Sequence, residues 1–460
     1  MKLRILPFII FLSIHQFLLA QDQVSAETYK QAETQLSFNT SQHIDRMNVR
    51  PNWESDDRFW YRILVKDGVE FVHYDIKEKK KRTFDSKAEL DKMLTKKAER
   101  PSYNRRKEIL SPDKSKVVFI KDWNLWMRNL KTGAEKQLTT DGIENYGYAT
   151  DNAGWRQSER PVVLWSPDSK KIATYQQDQR HVSDMHLVRT NVGAPKIKSW
   201  KYPLPEDEKI IQIERVIIEV DNDKMIRFDM PSDDRRGTLC DDISCSGAFD
   251  DNQWINDGKQ LVFVSSSRDH KIAQVRIADA KTGKVKEIFK EEVATQYESG
   301  QGAINWHYLE ANNEIIWYSE RDNWGHLYLY DALSGQLKHQ ITKGDFVVTR
   351  LKYIDKKKGV LYFEANGREV DRNPYFSHLY RVDLSGKNLK LLTPEDGTHS
   401  IRFSPKYKYF IDNYSQPDVP PISVLRNLDG DLIEKLEQTD ISRLIATGWK
   451  APNPVTVKSA

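Results

Sequence analysis

One pattern of polar and apolar positions recurs along most of the chain. In one complete copy, the turn Leu110-Ser-Pro-Asp113 precedes an apolar segment, 117–120, and a second strand-like segment, 124–130. A Thr-Gly turn and a further polar-apolar segment, 136–139, complete the copy. Proline fixes φ in such turns and aspartate caps the local backbone. Short strands with turn signals about every 8–12 residues predict an all-β meander.

The pattern returns at anchor positions near 53, 111, 165, 213, 254, 311, 355 and 404, so the mean period is (404 − 53)/7, or about 50 residues. A period of about 40–50 residues with four strands per unit is typical of a β-propeller blade. One such sheet cannot bury both of its faces, whereas stacking the sheets does so. We therefore predict an all-β, eight-bladed β-propeller of four-stranded antiparallel blades. Seven blades is the alternative, and two β-sandwiches is a further architecture, although a sandwich does not require a repeated Trp/Phe-Ser-Pro turn.

The first twenty residues predict a secretory signal peptide. Lys2 and Arg4 precede an apolar run that ends at Leu19, and the small residue Ala20 follows. An uncleaved membrane anchor is the alternative, but the apolar run is short and polar residues interrupt it. No other stretch approaches the roughly 18 apolar residues of a spanning helix. We therefore expect a periplasmic or secreted protein with no stable membrane span after cleavage.

Composition excludes several classes of protein. The chain has 460 residues, of which 11% are aromatic, so a disordered chain is excluded. Lys and Arg number 71 against 67 Asp and Glu, a net charge of +4 that argues against a nucleic-acid binder. Two cysteines exclude a disulfide framework and a Cys-ligated zinc domain. In an oxidising compartment, Cys240 and Cys245 are candidates for a structural disulfide; a redox pair or half of a metal site are the alternatives.

The sequence contains no G-x-S-x-G elbow, HExxH motif, P-loop or G-x-G-x-x-G motif. We therefore expect no catalytic residue, no cofactor and no metal in this chain. Two segments nevertheless contain several charged side chains that could bind a substrate. Carboxylates can bind an amine, and guanidinium groups can bind a carboxylate. A salt-bridged surface loop and a blade-edge turn are the alternative readings of these segments. Their candidate substrate-binding residues are Asp151, Trp155, Arg156 and Glu159 in the first segment, and Glu320 and Arg321 in the second.

Four segments carry a resemblance to a known family. They are Tyr318-Ser-Glu-Arg-Asp-Asn-Trp-Gly-His-Leu-Tyr-Leu-Tyr-Asp331, Val163-Leu-Trp-Ser-Pro-Asp-Ser-Lys-Lys-Ile-Ala173, Leu391-Leu-Thr-Pro394 and Thr447-Gly-Trp-Lys-Ala-Pro-Asn-Pro-Val-Thr-Val457. By these segments, the chain resembles the N-terminal β-propeller of the dipeptidyl peptidase IV family, which are serine peptidases of the prolyl oligopeptidase type. The resemblance implies that an α/β-hydrolase domain with a Ser-Asp-His triad follows the propeller. That domain is not in this chain, so we expect a signal peptide at 1–20, a lead-in at 21–50, the propeller at 51–446 and the start of a linker at 447–460.

The resemblance also implies a pair of propeller glutamates that binds the α-amine of the substrate, shortly before the Trp165-Ser-Pro turn. The ungapped positions hold Ala153, Gly154 and Trp155, and none of these is acidic. Glu159, or Asp151, is the candidate replacement if the loop is shifted. This departure weakens the case for strict release of dipeptides.

The expected function is therefore that of a non-catalytic propeller in an exported dipeptidyl-peptidase-like serine peptidase. It would control access to the hydrolase domain and position the N-terminus of the peptide, without hydrolysing peptides itself. The expected partners are a peptide substrate, through an attached or partner hydrolase domain, and a second copy of the chain. Nucleic acid is not expected. The alternative is a stand-alone propeller that binds a peptide, a glycan or a protein.

Overall fold

The computed structural model describes residues 24–94, 101–153, 157–234, 249–300 and 303–458. The predicted signal peptide and the cysteine pair Cys240 and Cys245 lie outside these ranges. Helices in the described ranges are short: Ala26–Thr34 (α1), Ser37–Thr40 (α2), Lys87–Met93 (α3) and Ser442–Ala446 (α4), with single 3-10 turns at Ser41–His43 and Asn256–Gly258. None of these described helices has the length and apolar character that crossing a bilayer requires.

Strands dominate the described residues and form eight antiparallel sheets, of which six have four strands, one has six and one has two. The first sheet contains Asn52–Trp53 (β1), Arg58–Val65 (β2), Gly68–Asp75 (β3) and Lys80–Phe84 (β4). The second contains Ile109–Leu110 (β5), Lys116–Lys121 (β6), Asn124–Asn129 (β7) and Glu135–Gln137 (β8).

The next strands form the six-stranded third sheet and a separate hairpin. In chain order they are Tyr146–Tyr148 (β9), Leu164–Trp165 (β10), Lys171–Asp178 (β11), the hairpin strands Asp184–Arg189 (β12) and Lys196–Lys201 (β13), then Gln212–Glu219 (β14), Lys224–Arg227 (β15) and Asp233–Asp234 (β16). The main path of the third sheet is β10-β11-β14-β15, with β9 and β16 at its margins.

The remaining sheets repeat the four-stranded meander. The fourth contains Asn252–Ile255 (β17), Gln260–Ser266 (β18), Ile272–Asp279 (β19) and Val285–Glu292 (β20). The fifth contains His307–Leu309 (β21), Glu314–Ser319 (β22), His326–Asp331 (β23) and Leu337–Gln340 (β24). The sixth contains Val347–Asp355 (β25), Val360–Asn366 (β26), Ser377–Asp383 (β27) and Lys390–Leu391 (β28). The seventh contains Thr398–Phe403 (β29), Tyr409–Ser415 (β30), Ile422–Asn427 (β31) and Leu432–Gln438 (β32).

This architecture confirms the all-β prediction, but the sheets do not match the sequence anchors one for one. The anchors near 165 and 213 belong to the same third sheet, because β11 pairs with β14 from Lys171↔Glu219 to Asp178↔Gln212. The hairpin β12–β13 is inserted between these two paired strands and forms a sheet of its own.

The Ser-Pro-Asp turns recur because each one satisfies its own backbone. In the turn between β10 and β11, the Ser166 hydroxyl donates to Asp168 Oδ1 at 2.5 Å and accepts the Lys171 N–H at 2.8 Å. Asp168 also accepts the Lys170 N–H at 3.1 Å. These are local hydrogen bonds of the type that favours Ser and Asp in turns.

The chain divides into two compact units. The first consists of the described parts of Met1–Leu94, Arg402–Asn427 and Leu432–Ala460. Its core joins the first sheet to strands from the end of the chain, since Phe59 and Tyr61 of β2 share a buried cluster with Ile411 of β30 and Leu425 of β31. This unit therefore depends on segments from opposite ends of the sequence.

The second unit consists of the described parts of Thr95–Ile401 and Leu428–Asp431. Within it, separate buried clusters lie between the second and third, third and fourth, fourth and fifth, and fifth and sixth sheets. All six residues of β22 are buried. Consecutive sheets thus cover each other's apolar faces, as the repeat predicted.

Candidate functional site

The second unit contains a cavity of about 540 Å³, which lies between the second and third sheets of the chain. The turn between β6 and β7, the segment before β5 and the loop before β10 contribute to its wall. Its polar and aromatic lining includes Asn104, Lys107, Trp123, Asn152, Gln157 and Glu159. The lining therefore combines an indole ring, three carboxamides and a pair of opposite charges.

Trp123 occupies an unusual backbone position at this cavity. Lys121 pairs with Asn124, so Asp122 and Trp123 are the two central residues of the β6–β7 turn, and their φ values are 49° and 59°. Such turns favour Asn and Gly, and a bulky residue with positive φ is uncommon. The strained position holds a large ring, 37% exposed, at the cavity wall.

Two glycines at the start of the third sheet and just before it leave space for Trp123. The Tyr148 N–H donates to the Trp123 carbonyl at 2.9 Å. A Cβ atom at Gly147 would lie 3.1 Å from Trp123 Cδ1 and 2.8 Å from Thr150 Cγ2. A Cβ atom at Gly142 would lie 2.3 Å from the Trp123 carbonyl oxygen. Glycines at these two positions are therefore needed for the chain to approach Trp123 so closely.

Three charged residues of the lining, Lys107, Glu108 and Glu159, are paired with other groups of the protein. Lys107 Nζ lies 2.6 Å from Glu159 Oε2, and both side chains are more than half exposed. Glu108 also lines the cavity, but its carboxylate is almost buried, binds the Arg128 guanidinium and accepts the Asn104 N–H at 2.7 Å.

The first predicted segment is thus partly at the cavity. Glu159 lines it. Asp151 is buried and does not line it; its carbonyl accepts the Ser158 N–H at 2.8 Å. Trp155 and Arg156 lie outside the described residues.

The second predicted segment lies elsewhere, in the turn between β22 and β23, and neither Glu320 nor Arg321 lines the cavity. The Arg321 guanidinium donates to Glu291 Oε2 at 2.7 Å and to the Tyr330 hydroxyl at 2.6 Å. It also stacks over the Tyr328 ring at 4.5 Å. Because Glu291 belongs to β20, Arg321 connects the fifth sheet to the fourth.

Glu320 stands beside this connection. Burial, and then the negative charge of Glu298, raise the pKa of the Glu320 carboxyl. Its Oε1 lies 3.4 Å from the Tyr318 hydroxyl. Among the described residues, no group of three or more His, Cys, Asp or Glu side chains is arranged to hold a metal ion.

Sequence reasoning did not identify Trp123 or Lys107. A signal for Trp123 exists, since Asp-Trp occupies a two-residue connection between strand-like segments where Asn-Gly would be usual. Lys107 has no comparable signal, because its partner Glu159 comes from a different loop.

The chain is similar in sequence to proteins of one known family. The family model described as "Dipeptidyl peptidase IV (DPP IV) N-terminal region" matches residues 67–421. A probable dipeptidyl-aminopeptidase B of Aspergillus oryzae is 24% identical over 353 residues, which cover 71% of this chain and 37% of that protein. The corresponding protein of Neosartorya fischeri is 26% identical over 354 residues, with the same coverage.

Solved structures show the same fold. The crystal structure of Porphyromonas gingivalis dipeptidyl peptidase 4 matches with a TM-score of 0.60 and 18% identity, covering 85% of this chain and 52% of that one. A putative dipeptidyl aminopeptidase IV from Bacteroides ovatus matches with a TM-score of 0.57 and 19% identity, with the same coverage. The chain thus spans between about a third and a half of the length of these relatives. Since the family model matches well over half of its residues, the chain belongs to the family of dipeptidyl peptidase IV N-terminal regions, and its stacked four-stranded sheets are those of a β-propeller.

Proposed function

We propose that this chain is the non-catalytic propeller portion of an exported dipeptidyl-peptidase-like serine peptidase. In this proposal, it controls access to a C-terminal α/β-hydrolase domain and positions the N-terminus of the peptide for that domain. The observation that carries the proposal is the family match over residues 67–421.

The cavity beside Trp123 is the proposed peptide contact. Carboxamides both donate and accept hydrogen bonds, as a peptide backbone requires, and Asn104, Asn152 and Gln157 supply three of them. Asn152 is held by its neighbours, because its Oδ1 accepts a hydrogen bond from Gln177 Nε2 at 2.8 Å. The indole of Trp123 offers a rigid apolar surface for a side chain of the peptide.

In this proposal, the propeller and the hydrolase domain contribute different parts of catalysis. A preorganised cavity in the propeller contributes the orientation of the bound peptide. The hydrolase domain contributes the nucleophile, its base and the oxyanion hole. The propeller therefore changes which peptides react, rather than performing the bond cleavage.

The proposal is tested with the purified chain, Xaa-Pro chromogenic substrates and short peptides. We expect peptide binding, measured by a change in tryptophan fluorescence or by calorimetry, without release of the chromophore. Trp123→Ala should weaken binding at least tenfold, because the indole forms part of the cavity wall. Trp324→Ala is the matched control, since Trp324 is similarly exposed, at 38%, but does not line the cavity.

Two results would contradict the proposal. Turnover that scales with the amount of purified chain, and that survives Glu159→Gln, would show that the chain is catalytic by itself. Equal peptide affinities for wild type and Trp123→Ala would remove the cavity from peptide recognition.

A further inference from the structure

We propose that Asn124 is a positioning residue, which holds the β6–β7 turn so that the Trp123 ring stays at the wall of the cavity. This inference rests on the proposed function, because it concerns the same peptide contact. The observation behind it is that the buried carboxamide of Asn124 makes four hydrogen bonds, one of them to the turn itself.

The carboxamide of Asn124 is fully used. Its Nδ2 group donates to the Asp122 carbonyl at 2.9 Å and to the Gly142 carbonyl at 3.0 Å. Its Oδ1 atom accepts from the Thr139 hydroxyl at 3.0 Å and from the Gly142 N–H at 2.9 Å. A carboxamide has two N–H donors and an oxygen with two lone pairs, so its whole capacity is spent inside the protein. Asn124 therefore joins the turn to the segment that follows β8.

A simpler form of this contact recurs in the fifth sheet. His326 is the first residue of β23, as Asn124 is of β7. Its Nδ1 atom lies 3.0 Å from the Thr342 hydroxyl, and its Nε2 atom lies 2.9 Å from the Gly344 carbonyl. In both sheets the glycine is 18 residues away. These contacts occupy both ring nitrogens of His326, so the link to threonine and glycine belongs to the repeated sheet, and the hydrogen bond to the turn is what Asn124 adds.

The β6–β7 turn needs this support because both of its central residues have positive φ. The values are 49° for Asp122 and 59° for Trp123, in a region that costs free energy for bulky side chains. Each central carbonyl is bound, that of Asp122 by Asn124 Nδ2 and that of Trp123 by the Tyr148 N–H at 2.9 Å. A ring held in one position before the peptide arrives lowers the cost of ordering it on binding.

Two variants and a matched control separate this role from a general loss of stability. Asn124→Ala removes all four hydrogen bonds. Asn124→His can retain the contacts with Thr139 and Gly142, as His326 does in its own sheet, but it loses the hydrogen bond to the turn. His326→Ala is the matched control, because it removes the corresponding contacts in a sheet whose β22–β23 turn does not line the cavity.

The first measurement is fluorine NMR of the protein labelled with fluorotryptophan, with the Trp123 signal assigned by its loss in Trp123→Phe. We expect this signal to shift or broaden in both Asn124 variants and to stay unchanged in His326→Ala. A purely structural role would affect the signal alike in Asn124→Ala and His326→Ala. An unchanged Trp123 signal in Asn124→Ala overturns the inference, whether or not a peptide binds.

The second measurement is peptide affinity by calorimetry in two backgrounds. In the wild type, Asn124→Ala should weaken binding about two- to tenfold, the range expected when one side chain must be ordered on binding. In Trp123→Ala, the same change should alter the affinity by less than about twofold, because the residue through which Asn124 acts is gone. His326→Ala should also stay within about twofold of the wild type.

The outcomes separate this inference from the proposed function. An equal loss of affinity from Asn124→Ala in both backgrounds would show that Asn124 does not act through Trp123, and it would overturn the inference while peptide binding still stands. If the wild type binds no peptide, the proposed function fails, and the fluorine signal alone decides whether Asn124 positions Trp123.

Discussion

Replacing Glu291 by glutamine should destabilise the protein far more than the same change at its neighbour Glu292. The Glu291 carboxylate is buried at the junction of the fourth and fifth sheets. It accepts hydrogen bonds from Trp317 Nε1 at 2.8 Å, from the Ser319 hydroxyl and from the Arg321 guanidinium at 2.7 Å. Glutamine has nearly the same shape, but it presents two N–H donors to a site made of donors.

The expected loss in the free energy of unfolding is about 3 kcal/mol. The charge-assisted hydrogen bond to Arg321 is worth roughly 1.5–3 kcal/mol, and a buried donor without a partner costs about 1–3 kcal/mol. Trp317 is fully buried, so its N–H cannot reach water. The Arg321 side chain is 32% exposed and can turn to solvent, which keeps the loss at the lower end of the roughly 3–5 kcal/mol for a broken buried pair.

Urea unfolding followed by tryptophan fluorescence measures this loss. Glu292→Gln is the control, because Glu292 is 61% exposed and contacts Lys290 at 3.2 Å, so its change should cost no more than about 1 kcal/mol. Equal unfolding midpoints for Glu291→Gln and Glu292→Gln would refute the interpretation of Glu291 as the connection between these sheets.

Three further changes have defined outcomes. Gly147→Ala should lower the free energy of unfolding by about 1–3 kcal/mol and weaken peptide binding, because its Cβ would clash with Thr150 and crowd Trp123; calorimetry checks both. Burial, and then a nearby lysine, lower the pKa of His307 to about 4 in the folded protein. Between pH 6.5 and 4, the unfolded chain therefore binds more protons at this residue than the folded chain does. Stability should therefore fall by about 3 kcal/mol as the pH drops through that window, and His307→Gln should reduce the slope. Asp412→Asn should cost about 3–5 kcal/mol in urea unfolding, because its partner Arg426 is only 2% exposed.

The repeated sheets could be predicted from the sequence because their determinants are local. The hydrogen bonds of Ser166 join it to residues no more than five positions away, so the turn appears in the sequence as a short motif. The pairing of β11 with β14 could not be predicted in this way. The hairpin β12–β13 separates the two strands in sequence, and its own strand-like composition hides their continuity.

The candidate site was predictable only in part, for a similar reason. Glu159 is visible as an acidic residue in a charged loop, but its charge partner Lys107 comes from the segment before β5. Arg321 is visible as part of a charged turn, but Glu291, which fixes its role, belongs to the preceding sheet. Residue type suggests what a side chain can bind, and tertiary neighbours determine whether it is already bound.

The first unit has a consequence for the order of folding. The Val49 N–H donates to Asn413 Oδ1 at 2.9 Å, across a sequence separation of 364 residues, and Phe59 packs with Leu425. A ribosome or a translocation pore releases the first sheet long before these partners emerge. The apolar face of the first sheet therefore stays without its native partners until the end of the chain emerges, and a chaperone or transient collapse must shield it from water. The sheets of the second unit, in contrast, can stack on one another as they emerge. The earliest strands to be synthesised thus reach their native contacts among the last.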